Sequence, residues 1–352
     1  MTTTTTTIQS RRDTTSTWKS VNPKPKAGEI CYETDQFKRT KIGDGSTNWN
    51  NLKHLTDSDE MAFTRMSEAG YAGNDLSTIF AHEISAYSSV FEWLNARAAA
   101  ANAEGIHIND YVMVHNAAGT CGGYSIAEKT QKARIVGIAP YKGYGDQSEG
   151  FRFYFLFEEG FGNIPMQTTN NNNGTAENKN PYLSSIPYAV MNGVNNLSTN
   201  AYNSVSHGVN ASAGGILQLM DSDFIKYTKN PRRLLPDMYS ASGLITVPTG
   251  WTWHEIGKMF FYNEFEVFGA AIHSSAKNAD GIDFNVGGQP VQLAGFRDFA
   301  GDVNKKCNRR NWWLLSTVGG SSSRFCFVNG NGIADHTSAS YAYISVRPGF
   351  CI

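Results

Sequence analysis

The sequence predicts an α+β protein, mostly β and rich in loops. The 352 residues include 34 Gly together with many Asn, Ser and Thr, the residues of tight turns. Hydrophobic residues make up 40%, and 7 Trp, 16 Tyr and 20 Phe supply material for a large core, which excludes a wholly disordered chain. Short runs such as Glu29–Thr34 alternate in the strand manner, whereas one stretch, Leu76–Ala103, follows a helical period. The length exceeds the needs of one domain. The composition divides it into a small N-terminal β-module (1–56), a helical linker (57–104) and a C-terminal domain (105–352). Charge is sparse and balanced, 30 basic against 31 acidic residues. Such a chain exerts no overall pull on nucleic acid or anionic lipid, and neither is expected as a partner.

The first 17 residues form a polar, Thr-rich leader with no periodicity, expected to be flexible. The segment from Thr17 to Leu55 then reads as short strands joined by tight turns. Gly43-Asp44-Gly45 supplies a turn that needs positive φ, and Trp49 and Leu52 return apolar surface to a very small core. Some forty residues bury too little area to stand alone, so oligomerisation is expected.

The run AGEICYETDQFKRTKIGDGSTNWNNL resembles the N-terminal module of phage tail-fibre and receptor-binding proteins. Gly28, Glu29, Tyr32, Thr34, Asp35, Lys41, Ile42, Gly43, Asp44, Gly45, Trp49 and Leu52 carry the resemblance. It implies a trimerising β-module near the point of virion attachment, and so a homotrimer in contact with other tail or baseplate proteins. The expected location is the virion, at a tail-fibre tip or baseplate, after assembly in the host cytoplasm.

Leu76, Phe80, Ile84, Tyr87, Phe91, Leu94 and Ala98 fall on one helical stripe. Asn74 or Asp75 is placed to cap its start, and Gly105 to end it. Three heptads are compatible with a short intersubunit coiled coil and with packing on the chain's own domain. Asp110–His115, Ala133–Ile138 and the aromatic run Phe151–Phe157 read as strands, the last a buried one. Gln167–Asn180 reads as a polar loop, Tyr188–Asn196 and Gly215–Tyr227 as helical, and the chain from Leu244 onward as strands and turns.

The final segment, Trp312-Trp313-Leu314-Leu315-Ser316 followed by Phe325–Val328, Asn329-Gly330-Asn331-Gly332 and VRPGFCI, resembles the close of C-type-lectin-fold domains. Such domains serve as variable proteins of diversity-generating retroelements, of the major-tropism-determinant type. The resemblance implies a fixed scaffold carrying a ligand-binding face in a variable region, here 310–345. Adenine-directed rewriting of AAC or AAT yields pyrimidine-ending codons, which never encode Lys, Glu, Gln, Met or Trp. None of these five occurs in the 32 residues from Leu314 to Ser345, although the chain holds 16 Lys, 15 Glu, 8 Gln, 9 Met and 7 Trp. Gly/Ser-rich turn regions are also naturally poor in Lys and Glu.

Within this segment Trp313, Leu315, Phe327, Val346 and Pro348 read as scaffold. Thr317, Gly319, Ser321, Ser323, Arg324, Asn329, Asn331, Asp335, His336, Thr337, Ala339, Tyr341 and Tyr343 are the candidates for an exposed ligand-binding face. Tyr341 and Tyr343 alternate as on one strand face. Tyr is a rigid amphipathic contact of low entropic cost, and Arg a frequent binding anchor.

No catalytic residue, metal ligand or cofactor is expected. The five cysteines are scattered without a CxxC pair, as in a chain made in a reducing cytosol, and the N-terminus lacks a secretory signal pattern. A calcium-dependent sugar site would need Glu-Pro-Asn or Gln-Pro-Asp with Trp-Asn-Asp, and Gln289-Pro290-Val291 lacks the third ligand. Asn278, Asp280 and Asp283 read as a turn more readily than as a cation loop. His107 and Asp110 read as an isolated surface pair. Gly123–Ala127 misses the final Gly of a nucleophile elbow. Glu158 and Glu159, adjacent on an extended segment, point to opposite faces and do not flank one glycosidic bond. The expected function is a non-enzymatic phage adhesin gripping a bacterial surface receptor, protein or glycan. A structural tail-fibre or baseplate subunit and a virion polysaccharide depolymerase are the alternatives.

Overall fold

Trp18 and Trp49 stack at 5.6 Å with their planes 8° apart, and with Cys31 they form the core of the N-terminal unit. A computed structural model describes residues 11–35, 40–52, 54, 71–146, 148–174, 179–193, 214–243, 245–274, 292–298 and 302–352. The chain divides into two units, Met1–Tyr71 and Ala72–Ile352.

In the first unit β1 (Arg11–Asp13) pairs in parallel with β2 (Ile30–Glu33), which pairs antiparallel with β3 (Thr40–Ile42). The helix Thr15–Val21 begins at Thr14, whose side chain accepts from Thr17 N, and ends at Asn22 in the left-handed region. Asp35 accepts from both the backbone N and the hydroxyl of Thr15, each at 2.8 Å. Residues 11–17 are therefore ordered, against the flexible leader expected from composition. Their order comes from pairing with β2 and from Asp35, twenty residues away, which no local pattern reveals. Residues 1–10 lie outside the described residues. Buried Lys41 holds its ammonium 3.9 Å from the Trp49 ring centre and donates to Trp49 O at 2.8 Å. In the glycine turn Gly45 has φ +78, whereas Gly43 is required for another reason: a Cβ there would stand 2.2 Å from Lys26 O.

The second unit is built on an antiparallel sheet of order β14-β8-β7-β4, from Gly349–Cys351, Phe153–Phe157, Lys129–Ile138 and Tyr111–Asn116. All five residues of β8 are buried, which explains its unbroken aromatic run: both faces are covered. Phe155 stacks on Phe350 at 4.8 Å. A hairpin of β5 (Gly119–Cys121) and β6 (Tyr124–Ile126) turns through Gly122 and Gly123, both at positive φ. β9 (Arg232–Asp237) pairs with β10 (Gly250–Glu255). A last antiparallel sheet has the order β11-β12-β13, from Trp312–Thr317, Arg324–Val328 and Ala334–Ser338.

The helical stripe is broken into helices Leu76–Ile79, Ala81–Ile84 and Val90–Ala99, with turns at 85–89 that leave Tyr87 exposed. Asp75 caps the first by accepting from Ser77 N. Leu76, Phe80, Phe91, Trp93, Leu94 and Ala98 join the large core of the second unit, so residues 76–99 pack within that unit. Residues 57–70 of the expected linker lie outside the described residues. Helix Ile186–Asn192 overlaps the expected 188–196 but stops at Gly193, left-handed at φ 66, and the expected helix over 215–227 divides into a 3-10 turn, Ile216–Leu219, and helix Ser222–Tyr227. The stretch after 244 also holds helices Glu264–Phe268, Ala294–Asp298 and Val303–Cys307, which the reading as strands and turns missed because each is barely more than one turn long. No helix among the described residues is long and apolar enough to cross a membrane.

Candidate ligand-binding face

β11 is buried along its whole length and Trp313 Nε1 donates to Ile164 O at 2.8 Å, so this strand anchors the last sheet. Leu315, Phe327, Val346 and Pro348 are buried with Trp313, as scaffold positions should be. β12 buries Phe325 to Val328, and β13 pairs with it at Phe325↔Thr337, Cys326↔His336 and Phe327↔Asp335. Asp335, His336 and Thr337 are half-buried along β13. The Asn329 side chain accepts from Asn331 N and Ile333 N and so shapes the hairpin turn, leaving Asn331 exposed at its tip.

Three segments border this hairpin. The loop 318–323 exposes Gly319 and half-exposes Ser321 and Ser323. It rests on Asn172, a fully buried side chain whose amide donates to Ser321 O at 2.6 Å and Arg324 O at 3.0 Å. The segment 272–274 is held by Glu264, also fully buried. Glu264 Oε2 accepts from Ile272 N at 2.9 Å, His273 N at 3.0 Å, Ser274 N at 2.8 Å and Ser274 Oγ at 2.7 Å. This places the His273 ring edge-on to His336 at 4.7 Å, while exposed Arg324 brings Nη1 within 3.4 Å of His336 Nδ1. The third segment, 339–345, carries Tyr341 and Tyr343, 43% and 71% exposed, with ring centres 5.4 Å apart.

Three expectations need correction. Thr317 is buried and its hydroxyl donates to Met238 Sδ at 3.2 Å, because β11 is packed to its last residue. Ala339 is fully buried, its N bonded to Ser323 O and its carbonyl to Gln167 N. Tyr341 and Tyr343 lie in a turn, not on a strand, and meet through the turn's curvature. The loop read as merely polar, 167–180, buries Gln167, Asn171, Asn172, Asn173 and Asn180 among its described residues and serves as a brace. His273 belongs beside the face and no sequence signal marks it. Exposed Ile333 also borders the hairpin turn and is absent from the expected face.

Cys326 lies beneath the face and burial pushes its thiol well up, so it stays protonated. All five cysteines are free and buried. Glu158 pairs with Arg134 at 2.9 Å and Glu159 with Lys129 at 2.9 Å, each engaged with its own cation. Asp110 is buried and accepts from His107 N and Asn74 N, a loop-holding role. No group of three or more metal-ligating side chains occurs among the described residues. Asn278, Asp280, Asp283 and Gln289-Pro290-Val291 lie outside them.

Residues 8–47 match the family model of the major tropism determinant N-terminal domain, and β1 to β3 with helix Thr15–Val21 fall within that span. The match supports a phage tropism protein, placed at the virion tail and directed at a host receptor. More particularly, it supports the major-tropism-determinant type. Neither a curated protein nor a solved structure matches the chain.

Proposed function

We propose that this chain is a non-enzymatic receptor-binding protein of a phage tail. It attaches through its N-terminal unit to other tail or baseplate proteins, assembles as a homotrimer, and grips a bacterial surface molecule with the face at 319–343. The carrying observation is the match of residues 8–47 to a tropism-determinant domain. Tyr341 and Tyr343 add large exposed aromatic area in a turn braced from behind, the arrangement of a binding anchor. The C-type-lectin reading draws support from β14 closing the main sheet beside β8 while a second small sheet bears the exposed turns. Diversification by a retroelement rests on the codon argument for 314–345. A trimer multiplies modest site affinities by avidity.

Purified chain, labelled and incubated with host cells, is expected to bind them and to block phage adsorption in proportion to its concentration. Absence of both effects, with the phage still requiring this gene for assembly, would assign a structural tail role instead. Sequencing the 3′ end of the gene across a phage population tests diversification: substitutions should cluster at Asn-derived codons between Trp312 and Tyr343.

A further inference from the structure

Away from that face, a cavity of about 140 Å³ opens between the β7–β8 loop and the β9–β10 hairpin. We propose that it is a second binding site, for the ring of a neutral saccharide. This does not rest on the receptor-binding reading, and none of its residues lies in the 319–343 face.

The site is built. Gly143 and Gly145, with φ +78 and +88, flank Tyr144 and present it at the loop surface, 45% exposed. Half-buried Trp253 of β10 lies against this loop, its ring edge 3.4 Å from where a Cβ on Gly145 would be. Arg232 fastens the two walls through a bidentate pair with Asp146, Nε to Oδ1 at 3.0 Å and Nη2 to Oδ2 at 2.6 Å. The floor is buried Arg233, centred 3.7 Å over the Tyr141 ring, with Nε on Glu266 at 3.1 Å and Nη1 on Glu149 at 3.2 Å. These bonds fix the polar groups before any ligand arrives, which lowers the ordering cost of binding.

One buried donor is left over: Arg233 Nη2 has no hydrogen-bond acceptor, whereas Arg152 Nη1 is paired with Glu149 Oε2 at 3.4 Å. Glu255, on the rim, uses Oε2 to accept from Asn230 at 2.7 Å. Buried donors without acceptors are costly, so an occupant that offers oxygen lone pairs is favoured. Charge then selects the class. Arg152, Arg232 and Arg233 in the lining are matched by Asp146, Glu149 and Glu255, with Glu266 beneath, so no surplus positive charge awaits an anion. Tyr141 and Tyr154 remain neutral phenols, since burial raises them far above the ordinary value. A neutral ring with an apolar C–H face for Trp253 and Tyr144, and a hydroxyl oxygen for Arg233 Nη2, satisfies each feature. The volume is well below the roughly 300–1,000 Å³ of a drug-sized pocket, so one ring enters and any attached chain stays outside.

Saturation-transfer NMR on the full chain, with the methyl glycosides of glucose, galactose, mannose and N-acetylglucosamine as probes, tests this. At least one should receive saturation at its ring C–H protons and shift tryptophan emission. Trp253→Ala and Tyr144→Ala should each weaken that binding about tenfold or more, Trp253→Phe should retain most of it, and Tyr341→Ala with Tyr343→Ala should leave it unchanged. No transfer to any of the four, binding undiminished in folded Trp253→Ala, or displacement of the sugar by millimolar sulfate would each overturn the proposal.

Discussion

Glu264 holds the 272–274 segment against the candidate face, and removing its carboxylate should release that segment. Its Oε2 accepts three backbone N–H groups and one hydroxyl, and Oε1 takes a further contact from His273 N at 3.0 Å. Glu264→Ala strands four donors. At a net value of about 1 kcal/mol for each bond, the loss is about 4 kcal/mol. At about 2–4 °C per kcal/mol for a large domain, the second unit should melt about 10 °C lower. Glu264→Gln is the controlled comparison. An amide oxygen in the Oε2 position keeps all four donors, and only the Oε1 position, facing His273 N, becomes a donor. Its cost should therefore be about 1–2 kcal/mol, chiefly the lost charge assistance. Differential scanning calorimetry reads the melting temperatures, and amide hydrogen exchange at Ile272, His273 and Ser274 reads the local release. A Glu264→Ala variant that melts with the wild type and keeps these amides protected, or Gln and Ala variants that behave alike, would show that the carboxylate does not hold the segment.

Asn172→Ala removes two donated bonds under the 318–324 loop and should cost about 2 kcal/mol, with faster exchange at Ser323 and Arg324; unchanged exchange there would show that the brace is idle. In the N-terminal unit, Lys41→Met loses the bond to Trp49 O and the cation over its ring, and should destabilise that unit by about 1–2 kcal/mol, followed by tryptophan emission. His115 is raised above its ordinary value near 6.5, chiefly by its hydrogen bond to Asp221 and then by that to Glu128. Since the folded value is the higher one, the stabilisation is fully present below pH 6.5 and disappears as pH rises through the folded value. Imidazole proton NMR should place its midpoint above 6.5, and a midpoint at or below that refutes the assignment.

How far residues announce their structure depends on how local its cause is. The aromatic run at 153–157 and the GDG turn declared themselves, because burial on both faces and backbone geometry act on neighbouring residues. The order of residues 11–17 depends on Asp35 and β2, and the buried role of Asn172 depends on carbonyls about 150 residues away, so composition misread both. The helical stripe predicted the inward side of residues 76–98 in most positions, yet it hides the break at 85–89, where residues 85–88 are exposed and Ser89 caps the next helix by accepting from Glu92 N. Of the candidate face, Arg324, Asn331, Tyr341 and Tyr343 are exposed as polar or aromatic turn residues should be, whereas Thr317 and Ala339 are small enough to bury. His273 reaches the face only through Glu264, and the cavity beside Trp253 joins segments a hundred residues apart. Neither left a pattern along the chain.

The central claim is that the exposed tyrosine pair anchors a host receptor. Its most direct test is the adsorption rate of phage carrying Tyr341→Ala and Tyr343→Ala together, measured beside the melting temperature and oligomeric state of the purified variant. Neither side chain belongs to the core, with Tyr341 43% and Tyr343 71% exposed, so fold and assembly should be unchanged while adsorption falls by at least tenfold. Normal adsorption by an intact variant would contradict the claim and remove this face from host recognition.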